Sequence, residues 1–490
     1  MKALIVGTGL GGLATALQLQ RQGWDVELVE KHHQPGGRLN RLEQDGFAFD
    51  VGPSFFSMRY EFEAFFKGIN LPVPFEVEPL DPLYAVFFEH RKEPVLVWRN
   101  AQQLANAFSG IEPDFSSRLE AYLKEAAALF HDTEHRIVKR NFTSAIDYLS
   151  ALASVPKRHL PRLFETLWHR LERHFESEEA RVILSLVAFF LGSTPFRTPA
   201  VYSLLNYVEL RHDGYWNVRG GMYRIVEGFV QLLKQQGARF HFNREITDAE
   251  HRNDRLFALV DHQGGRWPAD VFVINSDAAA FRGSVLKRHK FRPQALDRME
   301  WTMAPFTLYL GVKGKINQLH QHNYFLGSDF RRYAERIFSS SQLPSQPYYY
   351  VNVSSKSNDC APEGCENLFV LCPVPDLRFK PDWQDAEAFA DRLIADLERR
   401  TGFPLSTSLA VRVMYTPLDW ERQFNLYRGS GLGLGHSLKQ VGALRPGNRD
   451  EQLRNVFYVG ASTIPGTGLP MVLIGSQLVM KRIHDYASTL

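Results

Sequence analysis

The chain has 490 residues, 44% of them hydrophobic and 13% aromatic, with 36 phenylalanines; that length suggests about three domains, or two large interleaved ones, with room for an extensive core and an apolar pocket. A formal net charge of +3 without a clustered basic stripe gives no ground for nucleic-acid binding. The cysteines Cys360, Cys365 and Cys372 form no CxxC pair, which argues against a disulfide framework and against a zinc site.

The opening stretch "MKALIVGTGLGGLATALQLQRQGWDVELVEK" reads as strand, glycine loop, helix, strand. Ala3 to Val6 is a short buried strand, and Gly7-x-Gly9-x-x-Gly12 follows at once. Leu13, Ala16, Leu17 and Leu19 mark a helical stripe ended by Gly23, and Asp25 to Val29 is a second strand closing on Glu30. In this setting Gly7 makes the tight turn, Gly9 admits backbone close to a pyrophosphate, and Gly12 lets the helix pack on the strand. The helix N-terminus turns roughly half a positive charge toward the phosphates. Glu30 stands where a carboxylate accepts from ribose hydroxyls and repels a 2′-phosphate, so NADP is not the expected ligand. The first strand follows Lys2 directly, leaving no room for a signal peptide. The longest apolar run, Val182 to Leu191, is about half of the ~20 residues a spanning helix needs. A cytoplasmic protein with no transmembrane segment is expected.

"PGGRLNRLEQDGFAFDVGPSFF" comes next and places Gly36, Gly37 and Arg38, then Gly46, Phe49, Asp50, Gly52 and Pro53. Adjacent glycines let backbone lie near a pyrophosphate, and Arg38 offers it charge-assisted donors. Leu104 to Phe130 reads as a helix. Pro156 to Phe175 reads as one basic amphipathic helix, with Leu160, Leu163, Phe164, Leu167, Trp168, Leu171 and Phe175 on one face and Lys157, Arg158, Arg162, Arg170 and Arg173 on the others. That face either lies on an anionic membrane surface or joins the core. Val182 to Leu210 is apolar enough to line a channel or to be core.

A loop at Gly220 and Gly221 leads into a helix from Tyr223 to Gln235 and a strand from Arg239 to Ile246, with further strands at Ala258 to Asp261 and Asp270 to Ile274. An insertion carries strands at Phe306 to Val312 and Leu368 to Val374. The glycine run "RGSGLGLG" at 428–435 has no apolar strand before it and no capped helix after it, and is expected to be a flexible loop. Phe457 to Val459 is a last strand of the first sheet. "GASTIPGTGLP" and a helix starting near Pro470 then form a second cradle, whose helix dipole suits the carbonyl edge of a flavin ring.

The block from Gly36 to Pro53 resembles the second signature of FAD oxidoreductases of the amine-oxidase and phytoene-desaturase superfamily. "FTLYLGVKGKINQLHQHNYFLGSDFRRYAERIF", "CAPEGCENLFVLCPVPDL", "TPLDWERQFNLYRGSG" and "LRPGNRDEQLRNVFYVGASTIPGTGLPMVL" are similar to consecutive segments of the bacterial and fungal phytoene desaturases, the carotenoid desaturase family, over nearly the full chain. The resemblance implies an α/β fold: a Rossmann-like, GR2-type FAD-binding domain from 1–70, 215–280 and 426–490. It implies an interleaved α+β substrate domain from 71–100 and 281–425, and a helical, membrane-associating domain from 101–214. It implies FAD held by Gly7, Gly9, Gly11, Gly12, Glu30, Lys31, Gly37, Arg38, Gly52, Pro53, Ser54, Ile246, Gly460, Gly468, Leu469, Pro470 and Met471.

The implied activity is FAD-dependent desaturation of an acyclic isoprenoid polyene by hydride transfer to flavin N5. The implied partners are an apolar carotenoid, a membrane surface touched peripherally, and oxygen or a quinone as electron acceptor; no metal or nucleic acid is implied. No catalytic base stands out among 17 histidines and many acids. Ile464 departs from the family, which often has His before the Pro-Gly of the last motif, and this leaves room for a specialised desaturase of a coloured or hydroxylated carotenoid. Competing readings are a polyene isomerase, an amine or protoporphyrinogen oxidase, and an isoprenoid-binding escort protein without catalysis. The last motif lacks the aromatic pair of an amine oxidase, and the two intact cradles speak against the escort.

Overall fold

Four consecutive apolar residues, Ala3 to Val6, suit a central strand covered on both faces, and that is where they lie in the computed structural model, which describes residues 1–142 and 144–489. Lys2–Val6 (β1), Asp25–Val29 (β2), Arg239–His241 (β3), Val271–Ile274 (β4) and Val456–Tyr458 (β5) form one parallel sheet in the order β3-β2-β1-β4-β5. Side chains alternate across it. Ala3, Ile5, Val26, Leu28, Val271, Val273 and Phe457 pack under helices Leu10–Arg21 (α1), Arg224–Gln235 (α2) and Leu469–Ala487 (α3). Leu4, Val6, Val29, Phe272, Ile274 and Tyr458 face a three-stranded antiparallel layer, Ile246–Arg252, Arg255–Asp261 and Arg266–Pro268.

The single strand expected from Arg239 to Ile246 is therefore two. Arg239–His241 pairs with β2, Asn243 turns the chain in the left-handed region at φ 55°, and Ile246 opens the separate layer.

A second sheet has seven strands in the order Leu409–Tyr415, Ala304–Lys313, Cys365–Val374, Tyr349–Asn352, His322–Leu326, Tyr84–Phe88 and Val95–Val97. It is antiparallel except where His322–Leu326 meets Tyr84–Phe88. Phe306, Leu308, Leu310 and Val370 on one face pack under the helix Ala386–Thr401. Tyr309, Tyr324, Tyr350 and Phe369 on the other face join a core shared with the helices of 101–191.

Those helices are shorter than the sequence pattern suggests. The helix expected over Leu104 to Phe130 is divided into Ala101–Ala107 and Phe115–Thr133, because Gly110 and Pro113 lie between. The amphipathic helix expected over Pro156 to Phe175 is broken at Glu165, which is extended, and Thr166 caps a new helix by accepting from His169 N. The break rotates the apolar face: Leu167, Trp168, Leu171 and Phe175 are buried, whereas Leu160 and Phe164 are 48% and 86% exposed. Among the described residues no helix is long and apolar enough to cross a membrane.

Candidate functional site

The carboxyl ends of β1 and β4 diverge at the position where doubly wound sheets hold ligands. A cavity of about 730 Å³ opens there and runs on between the two sheets. All the candidate cofactor residues except Gly12 line it. Gly12 instead packs: a Cβ there would strike the carbonyl of Gly7, so the residue brings α1 against β1 as expected.

Gly9 caps α1 without a side-chain hydrogen bond, and Gly468 caps α3 in the same way. Both helix N-termini lie on the cavity wall, each with unsatisfied N–H groups and a partial positive charge. Asn275, at the end of β4, joins the two. Its Nδ2 donates to Val459 O at 2.9 Å, while its buried Oδ1 has no partner and lies 2.7 Å from where a Cβ on Gly9 would stand. An unpaired buried oxygen beside a side-chain-free loop leaves room for a polar ligand whose hydroxyl or N–H supplies the missing donor.

Glu30 is fixed in the wall. Its Oε2 accepts from Thr8 N at 2.8 Å and Thr8 Oγ1 at 2.7 Å, and its Oε1 from His32 N at 3.0 Å. Lys31 also lines the cavity, but its ammonium donates to Asn425 Oδ1 at 3.0 Å and Arg422 O at 3.2 Å, at the C-terminal end of the helix Pro417–Phe424. Arg38 donates to Gly431 O at 3.0 Å and, among the described residues, has no carboxylate within salt-bridge distance. Burial draws its pKa down, with only Asp277 opposing. A guanidinium so placed is suited to a diphosphate. Gly37, Gly52, Pro53 and Ser54 continue this wall, Ser54 Oγ lying 2.9 Å from Tyr350 OH, and Ile246 borders it from the three-stranded layer.

The run 428–435 is not a free loop. Gly431 N donates to Met303 O at 3.0 Å, Thr302 N to Gly433 O at 3.1 Å, and Gly431 and Leu432 form part of the cavity wall.

Arg445 was not singled out from the sequence, although it lies inside the quoted "LRPGNRD". It is 2% exposed and donates to five carbonyls, those of Leu434, Gly435, Gln440, Ala461 and Thr463, at 2.6 to 3.1 Å. Burial pulls its pKa down to about 10. It staples the 434–440 segment to the second cradle. His436, on that segment, is held neutral by burial and by Arg445, and accepts from Thr467 N at 3.2 Å. Ile464 borders the cavity as an apolar group packed on Ile474 and Leu478.

Beyond the second cradle the walls turn apolar. Leu186, Phe189, Phe190, Leu191, Leu205 and Phe330 line that arm, so Val182 to Leu210 serves as both core and cavity wall. Phe55 stacks on His322 at 4.1 Å and meets Tyr215 at 4.7 Å. Glu209 stands among these aromatics; a lone acid in "VYSLLNYVEL" was the signal available for it in the sequence. Among the described residues no cluster of His, Cys, Asp and Glu could hold a metal.

The family model for flavin-containing amine oxidoreductases matches residues 10–476. The chain is 34% identical to the zeta-carotene-forming phytoene desaturase of Myxococcus xanthus, over 99% of this chain and 94% of that one. It is 30% identical to the carotenoid 3,4-desaturase of Haloarcula japonica, over 99% of this chain and 98% of that one. A triple mutant of putrescine oxidase has the same fold, with a TM-score of 0.64 at 12% identity, covering 100% of this chain and 99% of that one. The protein thus belongs to the flavin-containing amine oxidoreductases and, among them, to the carotenoid desaturases.

Proposed function

We propose that the protein is an FAD-dependent carotenoid desaturase that introduces conjugated double bonds into an acyclic polyene. The observation that carries this reading is the single cavity running from Glu30 past both helix N-termini into an apolar, aromatic arm. In the proposed arrangement, Glu30 takes the ribose of FAD, Gly9, Gly37 and Arg38 the diphosphate, and Gly460 with Gly468, Leu469, Pro470 and Met471 the ring. The discontinuous set 1–70, 215–280 and 426–490 is the FAD-binding domain in this scheme, and the seven-stranded sheet belongs to the substrate domain.

The bound flavin supplies a two-electron acceptor for hydride from an allylic carbon. The chain supplies orientation and a dry wall. Phe189, Phe190, Phe330 and Tyr324 confine a rod-like polyene, and neutral His436 adds no charge to compete with the positive charge that develops along it. Apolar Ile464 favours an unsubstituted stretch of polyene at that point over a hydroxylated one.

We propose a bilayer as the source of this substrate. Ile146, Leu149, Leu160, Phe164 and Leu444 are large apolar side chains at the surface. Arg136 Nη1 donates to Ser154 O at 3.0 Å and Arg158 Nη2 to Asp132 Oδ2 at 2.6 Å, so this region flanks the end of the helix Phe115–Thr133. Ile137, Val138 and Lys139, just beyond that helix, border the cavity. Oxygen or a membrane quinone would serve as the terminal electron acceptor, and anaerobic turnover with a soluble quinone separates the two.

Pigment chromatography of cells that make phytoene, lycopene or a hydroxylated carotene and express this chain tests the reading. A red-shifted product with added conjugated bonds supports it. Unchanged pigments with every precursor, despite bound FAD, sink it in favour of an isomerase or an oxidase.

A further inference from the structure

The desaturation removes a hydride and a proton from neighbouring carbons, and no residue has yet been assigned to take the proton. We infer that Glu209 is that acceptor, an inference that rests on the desaturase reading. Glu209 is 3% exposed and borders the apolar arm of the cavity. It lies on a π-helical turn, Val208–His212, a local widening of the helix that recurs at functional positions. Val208, its neighbour in the chain, belongs to the apolar cluster of Met58 and Phe130 against which Met471 of the second cradle packs, which brings this turn to the edge of that cradle.

Everything facing Glu209 is neutral. The hydroxyls of Tyr84 and Tyr215 face it, and Asn206 Nδ2 lies 3.5 Å from its Oε2. Tyr122 OH donates to Asn206 Oδ1 at 2.7 Å, which orients that amide, and Tyr324 completes the surround. Burial raises the pKa of all four tyrosines far enough to keep them protonated. Among the described residues no Lys, Arg or His lies within salt-bridge distance of Glu209. A structural carboxylate at this depth would be expected to have a cationic partner. This one has hydroxyl and amide donors only, and burial lifts its pKa to about 7, where a carboxyl can take a proton and return it.

The step balances. One carbon loses hydride, with its electron pair, to the oxidised flavin. On the adjacent carbon the C–H pair becomes the new π bond, and the proton goes to a Glu209 carboxylate oxygen. Net loss from the polyene is two hydrogens and two electrons, and Glu209 must then return its proton to water.

The test compares Glu209→Gln and Glu209→Asp with the parent, all as flavin-loaded full chains. Infrared spectra of the parent should show a protonated carboxyl stretch that fades as pH rises through about 7 and is absent from Glu209→Gln. Anaerobic flavin reduction by phytoene in vesicles should rise with pH over the same range in the parent. It should slow by about 100-fold or more in Glu209→Gln, with the KM for phytoene little changed and the pH dependence lost. Glu209→Asp keeps a carboxylate and should recover part of the rate together with a pH profile, which separates proton transfer from a packing defect. Parent-like reduction in Glu209→Gln, a slowed rate with an unaltered pH profile, or failure of Glu209→Asp to recover any rate while holding flavin would overturn the proposal. A parent that holds flavin yet oxidises no polyene would overturn the desaturase reading and this inference with it, whatever the infrared band does.

Discussion

Asn275 Nδ2 donates to Val459 O at 2.9 Å, and that bond ties the end of β4 to the start of the second glycine loop. The free Oδ1 on the same amide lies beside Gly9, so a substituent on Gly9 would reach at once the Asn275 amide and the space proposed for the diphosphate of FAD. The two cradles are thus one site, built at the carboxyl ends of β1 and β5 with Asn275, at the end of β4, between them.

Gly9→Val should therefore fold and fail to hold FAD. Gly9 has φ −68° and ψ 168°, a conformation open to any residue, so backbone strain is not at issue. The neighbouring Gly12→Ala should behave differently, because its Cβ would drive into the backbone of Gly7. Overpacking of that kind destabilises by about 1–3 kcal/mol. Flavin absorbance per mole of protein, read beside circular dichroism, separates the two outcomes. A Gly9→Val protein that retains flavin at the parent ratio would overturn the assignment of this loop.

Arg445→Met should cost more than a typical buried substitution. Five carbonyls lose a donor, and leaving buried polar groups unpaired costs about 1–3 kcal/mol each before relaxation. The expected loss is several kcal/mol of unfolding free energy, accompanied by weaker flavin retention as the 434–440 segment separates from Ala461 and Thr463. Arg445→Lys should not restore it, since an ammonium cannot span carbonyls arranged around a planar fork. Urea unfolding with and without added FAD measures both effects, and parent-like midpoints for both variants would remove the staple role.

The sequence pattern was most informative where one residue type serves one local purpose. Gly7, Gly9, Gly12 and Glu30 are read from a strand, a loop and a helix contiguous in the chain, and the same holds for the glycines around Pro470. Arg445, Asn275 and Glu209 act between segments far apart in sequence, and no local period marks them. The segment at 156–175 went the other way. Its helical spacing is real, yet the extended Glu165 and the Thr166 cap turn its two halves to opposite environments. The glycine run at 428–435 reads as slack for a similar reason: what fixes it is Met303 and Thr302, over a hundred residues away.

Asp50 should contribute stability that is lost as pH rises from about 4 to about 6, against the gain expected over the same range from His174, His322 and His436, whose pKa values burial depresses. Its carboxylate accepts from Met222 N at 2.9 Å and Tyr223 N at 3.1 Å, yet burial outweighs those bonds and lifts its pKa to about 6. The folded pKa lies above the ordinary value of 3.8, so the stability linked to its protonation is complete below that value and lost as pH climbs through about 6. Glu209 adds a loss of the same sign that extends to about 7. Asp50→Asn should remove the Asp50 loss, changing the pH dependence of stability between about 4 and about 6 by at most about 1–3 kcal/mol relative to the parent. Thermal midpoints between pH 4.5 and 7.5 test this, and an unchanged slope in Asp50→Asn would refute it.

Bilayer attachment should depend on the apolar residues of the 146–164 surface more than on its basic ones. The arginines of that region already have partners: Arg158 meets Asp132, Arg162 and Arg170 meet Glu125, and Arg173 meets Glu165. Neutralised in place, they have little charge to offer anionic lipid. Phe164 and Ile146 are 86% and 79% exposed. A fully inserted side chain of this size contributes about 1.5–3 kcal/mol, or roughly tenfold or more in partitioning. Phe164→Ser with Ile146→Ser should lower sedimentation with vesicles by at least that factor, whereas Arg158→Gln with Arg173→Gln should change it little. Binding led by apolar insertion should also persist at high salt. Activity on polyene carried in vesicles should fall with the serine pair while activity on detergent-dispersed polyene remains. If instead the glutamine pair releases the protein and the serine pair does not, the surface binds by charge, and the ion pairs seen here must open when it meets the membrane.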